Sequence, residues 1–195
     1  MRKLSLKRST KETEIKCSLN IDGTGKNKIS TEIGFFDHML EIFSNHSLID
    51  LKLDAKGDVN VDLHHTVEDC GLGLGESINK ALGEKRGINR YGFLYVPMDE
   101  CLSRAVIDFS GRPELVWDVK FGLKKLGEME TEIFQEFFKA FVKSSETNLH
   151  ISNIYGKNNH HIIESCFKAF ARSIKMAVGI NNKIKNQIPS SKGIL

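Results

Sequence analysis

A four-residue signature occurs twice in this chain at one spacing: His64, His65, Glu68 and Cys70 are matched by His160, His161, Glu164 and Cys166, each pair 96 residues apart. Four residues in register at a single offset mark an internal repeat, so the 195 residues are expected to fold as two similar α/β halves. We place these halves at about 1–88 and 89–180 of a single domain, followed by a tail at 181–195.

The spacing of apolar residues supports the same order of elements in both halves. Leu4 and Leu6, then Ile15, Cys17, Leu19 and Ile21, fall at alternate positions and predict one or two strands over 3–22, closed by the Asp22-Gly23-Thr24-Gly25 turn. A short helix is expected at 35–46, a strand over 48–61 and a helix over 64–83, the last interrupted by Gly71, Gly73 and Gly75. In the second half, 91–121 predicts consecutive strands with turns at Met98-Asp99 and Gly111-Arg112-Pro113. An amphipathic helix over 132–145, a strand over 148–156 and a long helix over 160–179 follow. Phe134, Phe137, Phe138 and Phe141 read as core. The tail has turn formers and no helical stripe, which predicts an extended surface segment.

Bulk properties exclude several classes. The 28 basic side chains are interspersed with 25 acidic ones, and the net charge of +3 leaves no sustained basic face for nucleic acid. Cys17, Cys70, Cys101 and Cys166 form no Cys-x-x-Cys pair, which argues against a zinc ribbon, a redox motif or a secreted disulfide framework. The first residues alternate polar and apolar instead of forming a signal-peptide core, and no stretch is apolar enough to span a membrane. A reducing cytoplasm is the expected location.

Each His-His-x-x-Glu element carries donors in two directions. On a helix, positions i and i+4 share a face, so His64 with Glu68, and His160 with Glu164, can grip one ion. His65 and His161, rotated by about 100°, point elsewhere. Neutral imidazole combined with carboxylate suits catalytic divalent ions such as Mn, Fe, Co, Ni and Zn. Two donor directions favour two ions per active site, or an ion shared between subunits, over one closed cage. The preceding helices add His38, 26 residues before His64, and Glu136, 24 residues before His160. The structural alternative has each histidine pair capping a helix and bonding backbone groups, and it requires the same coincidence twice.

Together, FFDHML (35–40), DLHHTVEDCGLGLGE (62–76), KRGINRYG (85–92), IDFSGRP (107–113), NNHHIIESCFKAFARS (158–173) and PSSKG (189–193) resemble the imidazole glycerol-phosphate dehydratases, over nearly the whole chain. The resemblance implies two halves like the second domain of ribosomal protein S5, with two four-stranded sheets sandwiching four helices. It implies a lyase of histidine biosynthesis that converts D-erythro-imidazole glycerol phosphate to imidazole acetol phosphate, using a di-manganese centre (two Mn2+ per active site) that stabilises an imidazolate. It further implies assembly of twenty-four identical subunits with sites between them, and no nucleic-acid or membrane partner. His38, His64, His65, Glu68, Glu136, His160, His161 and Glu164 would be the metal ligands. Glu12, in TKET, would be an acid/base group, with Glu68 and Glu164 also catalytic. Arg90, Arg112, Ser190, Ser191 and Lys192 would surround the substrate phosphate, with Lys168 and His46 as further substrate contacts. The metal-ligating residues other than Glu136, together with Glu12, would also line the substrate site. One position departs from the family pattern: Gln135-Glu136-Phe137-Phe138 stands where Glu-His-Phe-Phe is usual. The residues themselves permit other roles: Arg90 and Arg112 as surface ion-pair partners, His46 and His150 as supporting or core groups, Asp69 as a helix-surface or supporting acid.

Two rival functions fit parts of the pattern. A metal clamp between subunits would need the duplicated motif but no chemistry. An RNA-binding protein would follow from the S5-like fold and a pI near 8.6, though no basic face with interleaved aromatics supports it.

Overall fold

A computed structural model describes residues 2–195. The alternation of buried and open residues in the amino-terminal segment produces two antiparallel strands, β1 (Lys3–Ser9) and β2 (Thr13–Asn20). After β3 (Asn27–Ser30) come helix α1 (Gly34–Ser47), strand β4 (Asp50–Gly57) and helix α2 (His64–Leu82). The order β1-β2-β4-β3 forms one sheet, with β3 parallel to β4. The second set is β5 (Tyr91–Met98), β6 (Cys101–Asp108), β7 (Glu114–Asp118), α3 (Ile133–Ser145), β10 (Asn148–Tyr155) and α4 (Asn159–Val178). Its sheet has the same plan, β5-β6-β10-β7, again with the last strand parallel to its neighbour. A small hairpin, β8 (Lys125–Leu126) with β9 (Met129–Glu130), interrupts the second set between β7 and α3.

Three expectations need correction. The strand over 48–61 stops at Gly57, and residues 58–63 turn into α2. The short edge strand β3 and the β8–β9 hairpin were not expected, because four- and two-residue strands with few apolar side chains carry no readable alternation. The tail is not extended: it makes a short 3-10 turn at Asn182–Ile184 and doubles back on the 86–90 loop. There Gln187 accepts the amide of Gly87, and Asn186 accepts the Arg86 guanidinium at 3.0 Å.

The four helices lie between the sheets, and they pair across the repeat: α1 packs on α4, and α2 packs on α3. Phenylalanines fill this layer. Phe43 stacks on Phe170 at 5.3 Å, Phe137 on Phe167 at 5.5 Å, and Phe141 meets Phe170 edge-on at 4.9 Å. All of these rings are fully buried. The outer faces of the two sheets differ in kind. Lys16, Lys52 and Lys56 are exposed on the first sheet, whereas Tyr91, Phe93 and Tyr95 are exposed on the second.

The glycines of α2 are the reason that helix packs so closely. A Cβ at Gly71 would stand 2.5 Å from the carbonyl oxygen of Phe137, and one at Gly75 would stand 2.5 Å from that of Phe141. Both obstacles are backbone of α3 and cannot rotate away. Gly71→Ala therefore gains about 1 kcal/mol of helix propensity but loses more to overpacking, which costs about 1–3 kcal/mol and rises against rigid backbone. Thermal unfolding of Gly71→Ala should show a clear fall in Tm, while Gly34→Ala, where a Cβ meets nothing within 4 Å, should show none.

Candidate active site

Each motif helix begins with the same local device. Asp62 accepts the backbone amide of His64 at 2.5 Å, and Asn158 accepts that of His160 at 2.9 Å. Asn158 is the N-cap of its helix, Asp62 stands one residue before the N-cap Leu63, and the two acceptors are themselves 96 apart. A side-chain acceptor two residues before each first histidine fixes where the helix starts, and so fixes the direction of all four imidazoles.

Cross-pairing of the helices assembles the first cluster from both halves. His38 on α1 and His160 on α4 both face Glu164, at 3.8 and 3.0 Å from its Oε2, and the three donor atoms lie within 4.8 Å of one another. The Glu164 side chain is only 9% exposed, while His38 and His160 are near half exposed, so the cluster opens to solvent on the imidazole side. Burial pushes the Glu164 carboxyl upward, but the Lys168 ammonium at 2.7 Å and the bond from His160 outweigh it and hold the group below its ordinary range. Lys168 thus neutralises Glu164 directly. His46 is close enough to feel the same charges, and burial together with Lys168 and Arg172 pushes it downward.

The counterpart cluster is less complete. His64 Nε2 stands 3.6 Å from Glu68 across one helical turn. Glu136 sits on the first turn of α3, the helix packed on α2, but its carboxylate is engaged by Lys139 at 3.4 Å. It does not join His64 and Glu68 in a compact donor group.

The second histidine of each motif turns away from these clusters, toward a carboxylate next to a strand end. His65 Nδ1 lies 3.1 Å from Asp58 and 3.9 Å from Glu12. His161 Nδ1 lies 2.7 Å from Glu100, with Asp99 at 3.6 Å from its other ring nitrogen. Glu100 also accepts the amides of Asn158 at 2.7 Å and Lys157 at 3.2 Å, and these bonds, with His161, hold its carboxyl far below the ordinary range. Asp58, Glu100 and the helix-start acceptors Asp62 and Asn158 escaped the sequence analysis. Their signal was available, since Glu12 and Glu100 immediately precede β2 and β6.

The expected phosphate ligands gather at the opposite end of β5. Arg90 takes a left-handed backbone, φ 72°, and is pinned by paired bonds to Asp108 at 2.7 and 3.1 Å. Its remaining nitrogen donates to the carbonyl of Pro189 at 3.0 Å, so it fixes the tail just before Ser190. The Ser190 hydroxyl accepts the amide of Lys192, and the tail then runs to Leu195 beside Gly111. The Arg112 side chain has no ion pair among the described residues. Ser191 and Lys192 are exposed. His150 lies on the open face of the second sheet, away from the core. Asp69 is buried and bonded to Arg8 and Thr13, so it clamps α2 to the strand that follows Glu12.

Fold and site together define a duplicated α/β protein whose histidine and glutamate donors stand near helix starts, one cluster of them joining the two halves. A family model described as imidazoleglycerol-phosphate dehydratase matches residues 31–174. The structure is similar to that of imidazoleglycerol-phosphate dehydratase from Staphylococcus aureus subsp. aureus N315, with 37% identity over 91% of this chain and 98% of that one, at a TM-score of 0.82. It is also similar to that of IGPD from Pyrococcus furiosus in complex with (S)-C348, with 29% identity over 97% and 100% of the two chains, at a TM-score of 0.84. The chain belongs to the imidazoleglycerol-phosphate dehydratase family, lyases that dehydrate imidazoleglycerol phosphate in histidine biosynthesis.

Bonds to Asp58 and to Glu100 raise the pKa values of His65 and His161 above the ordinary 6.5. A folded value above the unfolded one gives stability that is fully present below pH 6.5 and fades as pH rises through the raised value. In metal-free protein, ring-proton NMR should place both midpoints above 6.5, with Asp58→Asn lowering that of His65 and Glu100→Gln that of His161.

Proposed function

We propose that the dehydration runs on two Mn2+ ions held by His38, His64, His65, Glu68, Glu136, His160, His161 and Glu164 from more than one subunit, with His38, His160 and Glu164 of one chain converging on one of the ions. The His38–His160–Glu164 cluster carries this reading. Two imidazoles and one carboxylate, converging and open on one side, suit a catalytic divalent ion with positions left for another ligand. His65 and His161 point away from the clusters of their own chain, which suits them to complete the clusters of neighbouring copies. Such sharing supports sites between subunits in an assembly of twenty-four chains, each copy being one dehydratase unit of two halves, about 1–88 and 89–180, with the tail 181–195. Four free, buried cysteines suit a reducing cytoplasm. Among the described residues no helix is long and apolar enough to cross a membrane.

When bound, the ions would supply positive charge at the two nitrogens of the substrate ring and favour its imidazolate form. The remaining work falls to the chain. The hydroxyl leaves from the carbon next to the ring, a proton leaves from the following carbon, and the resulting enol tautomerises to the ketone. Glu12 suits the proton transfer, because its side chain is 56% exposed at a hairpin tip and keeps its carboxylate out of any strong ion pair. Glu68 and Glu164 balance the charge of the bound ions. Arg90 and Arg112, with Ser190, Ser191 and Lys192 of the tail, suit the phosphate, and Arg90 also holds that tail in place. Lys168, paired with Glu164, and His46, within reach of the charge of Lys168, suit contacts to the substrate.

The decisive experiment supplies imidazole glycerol phosphate to protein stripped of metal and then reloaded with Mn2+. Turnover should be absent before reloading and present after it, and full turnover by the stripped protein would exclude the metal reading. Glu12→Gln should lower kcat by about 100-fold or more without changing metal content. Arg112→Ala should chiefly raise KM, because it removes binding remote from the reacting bonds.

A further inference from the structure

Superposing the repeat on its strands, not on its motifs, pairs Glu12 with Glu100. Strands β2 and β6 begin at Thr13 and Cys101, an offset of 88, so the residue before each strand is a glutamate in both halves. The neighbouring strand matches too. Thr13 pairs with Gly57, and Cys101 lies against Gly156, where an added Cβ would stand 2.3 Å from its sulfur. The next residue is therefore Asp58 in the first half and Lys157 in the second.

This one difference changes what each glutamate does. In the first half Asp58 occupies His65 Nδ1 at 3.1 Å, and Glu12 is left 3.9 Å away and open to solvent. In the second half the equivalent side chain is a lysine, and Glu100 moves in to take His161 Nδ1 at 2.7 Å. Each second histidine thus has one close carboxylate on Nδ1. A carboxylate can only accept, so Nδ1 carries the proton and Nε2 keeps its lone pair. That is the arrangement by which a carboxylate orients an imidazole for a metal.

We infer that Asp58 and Glu100 are positioning residues with one shared task, presenting His65 and His161 through Nε2 to a divalent cation, and that Glu12 is free for proton transfer because Asp58 has taken over the task its counterpart performs. The inference rests on the metal reading above. Asp99 is the group on the Nε2 side of His161, at 3.6 Å and largely exposed, so it leaves that nitrogen accessible.

Metal-stripped, full-length protein titrated with MnCl2, with free Mn2+ read by its electron paramagnetic resonance signal, separates the roles without using activity. Asp58→Asn and Glu100→Gln should weaken Mn2+ binding by about 10–100-fold, and turnover lost at limiting Mn2+ should return as the cation is raised. Glu12→Gln should bind Mn2+ like the parent chain and lose turnover at every Mn2+ concentration. Nitrogen-15 NMR above the titration range should show His65 and His161 as Nδ1–H tautomers in the parent, with that preference weakened at the matching site in each variant. If Glu100→Gln binds Mn2+ as the parent does but loses turnover as Glu12→Gln does, Glu100 is a chemical group and the division of labour is wrong. A parent chain that turns over yet takes up no Mn2+ removes the metal reading itself, and the inference with it.

Discussion

The structure depends on how closely two helices of different halves can approach. Gly71 and Gly75 let α2 lie directly on the backbone of α3, and the phenylalanine layer then fills the wider space around the crossing of α1 and α4. Because helices pair across the repeat, His38 reaches a cluster whose other members stand more than a hundred residues later in the chain. Spread α2 from α3 by a methyl group, and the sheets that carry both sets of hairpin carboxylates must shift with them.

Much of the fold was legible because helices and long strands carry strong periodicity. The helix over 132–145 and the long carboxy-terminal helix lie within a residue or two of where apolar spacing put them. The glycines of α2 were legible only as a weakness. Their real role depends on a neighbour more than sixty residues away, and local propensity holds no record of that neighbour. The edge strand β3 and the β8–β9 hairpin were invisible for the opposite reason, being too short to show any pattern.

The site divides in the same way. A histidine pair followed by a glutamate can be read from spacing alone, and the donors that the structure brings together at Glu164 were among those named. Asp58 and Glu100 were missed because the repeat was followed with a single offset of 96, whereas its early strands repeat at 88. The β8–β9 hairpin, inserted between β7 and α3, lengthens the second half there, and a turn before α4 that is three residues shorter than the turn before α2 takes part of that length back. Residues before it and residues after it keep different registers, so a glutamate on a hairpin and a histidine on a helix cannot both be matched by one subtraction. Arg90 was named as a phosphate ligand from family likeness, and its bonds to Asp108 and Pro189 belong to tertiary structure that sequence does not display.

The interleaving of helices also says something about covalent continuity. Were the segment between Gly83 and Tyr91 cut, neither fragment would own a full donor cluster, and α1 could meet α4 only by diffusion. The eight-residue connection replaces that bimolecular encounter with an effective concentration on the order of millimolar. Doubling the unit within one polypeptide thus makes the first cluster's assembly independent of how dilute the protein is.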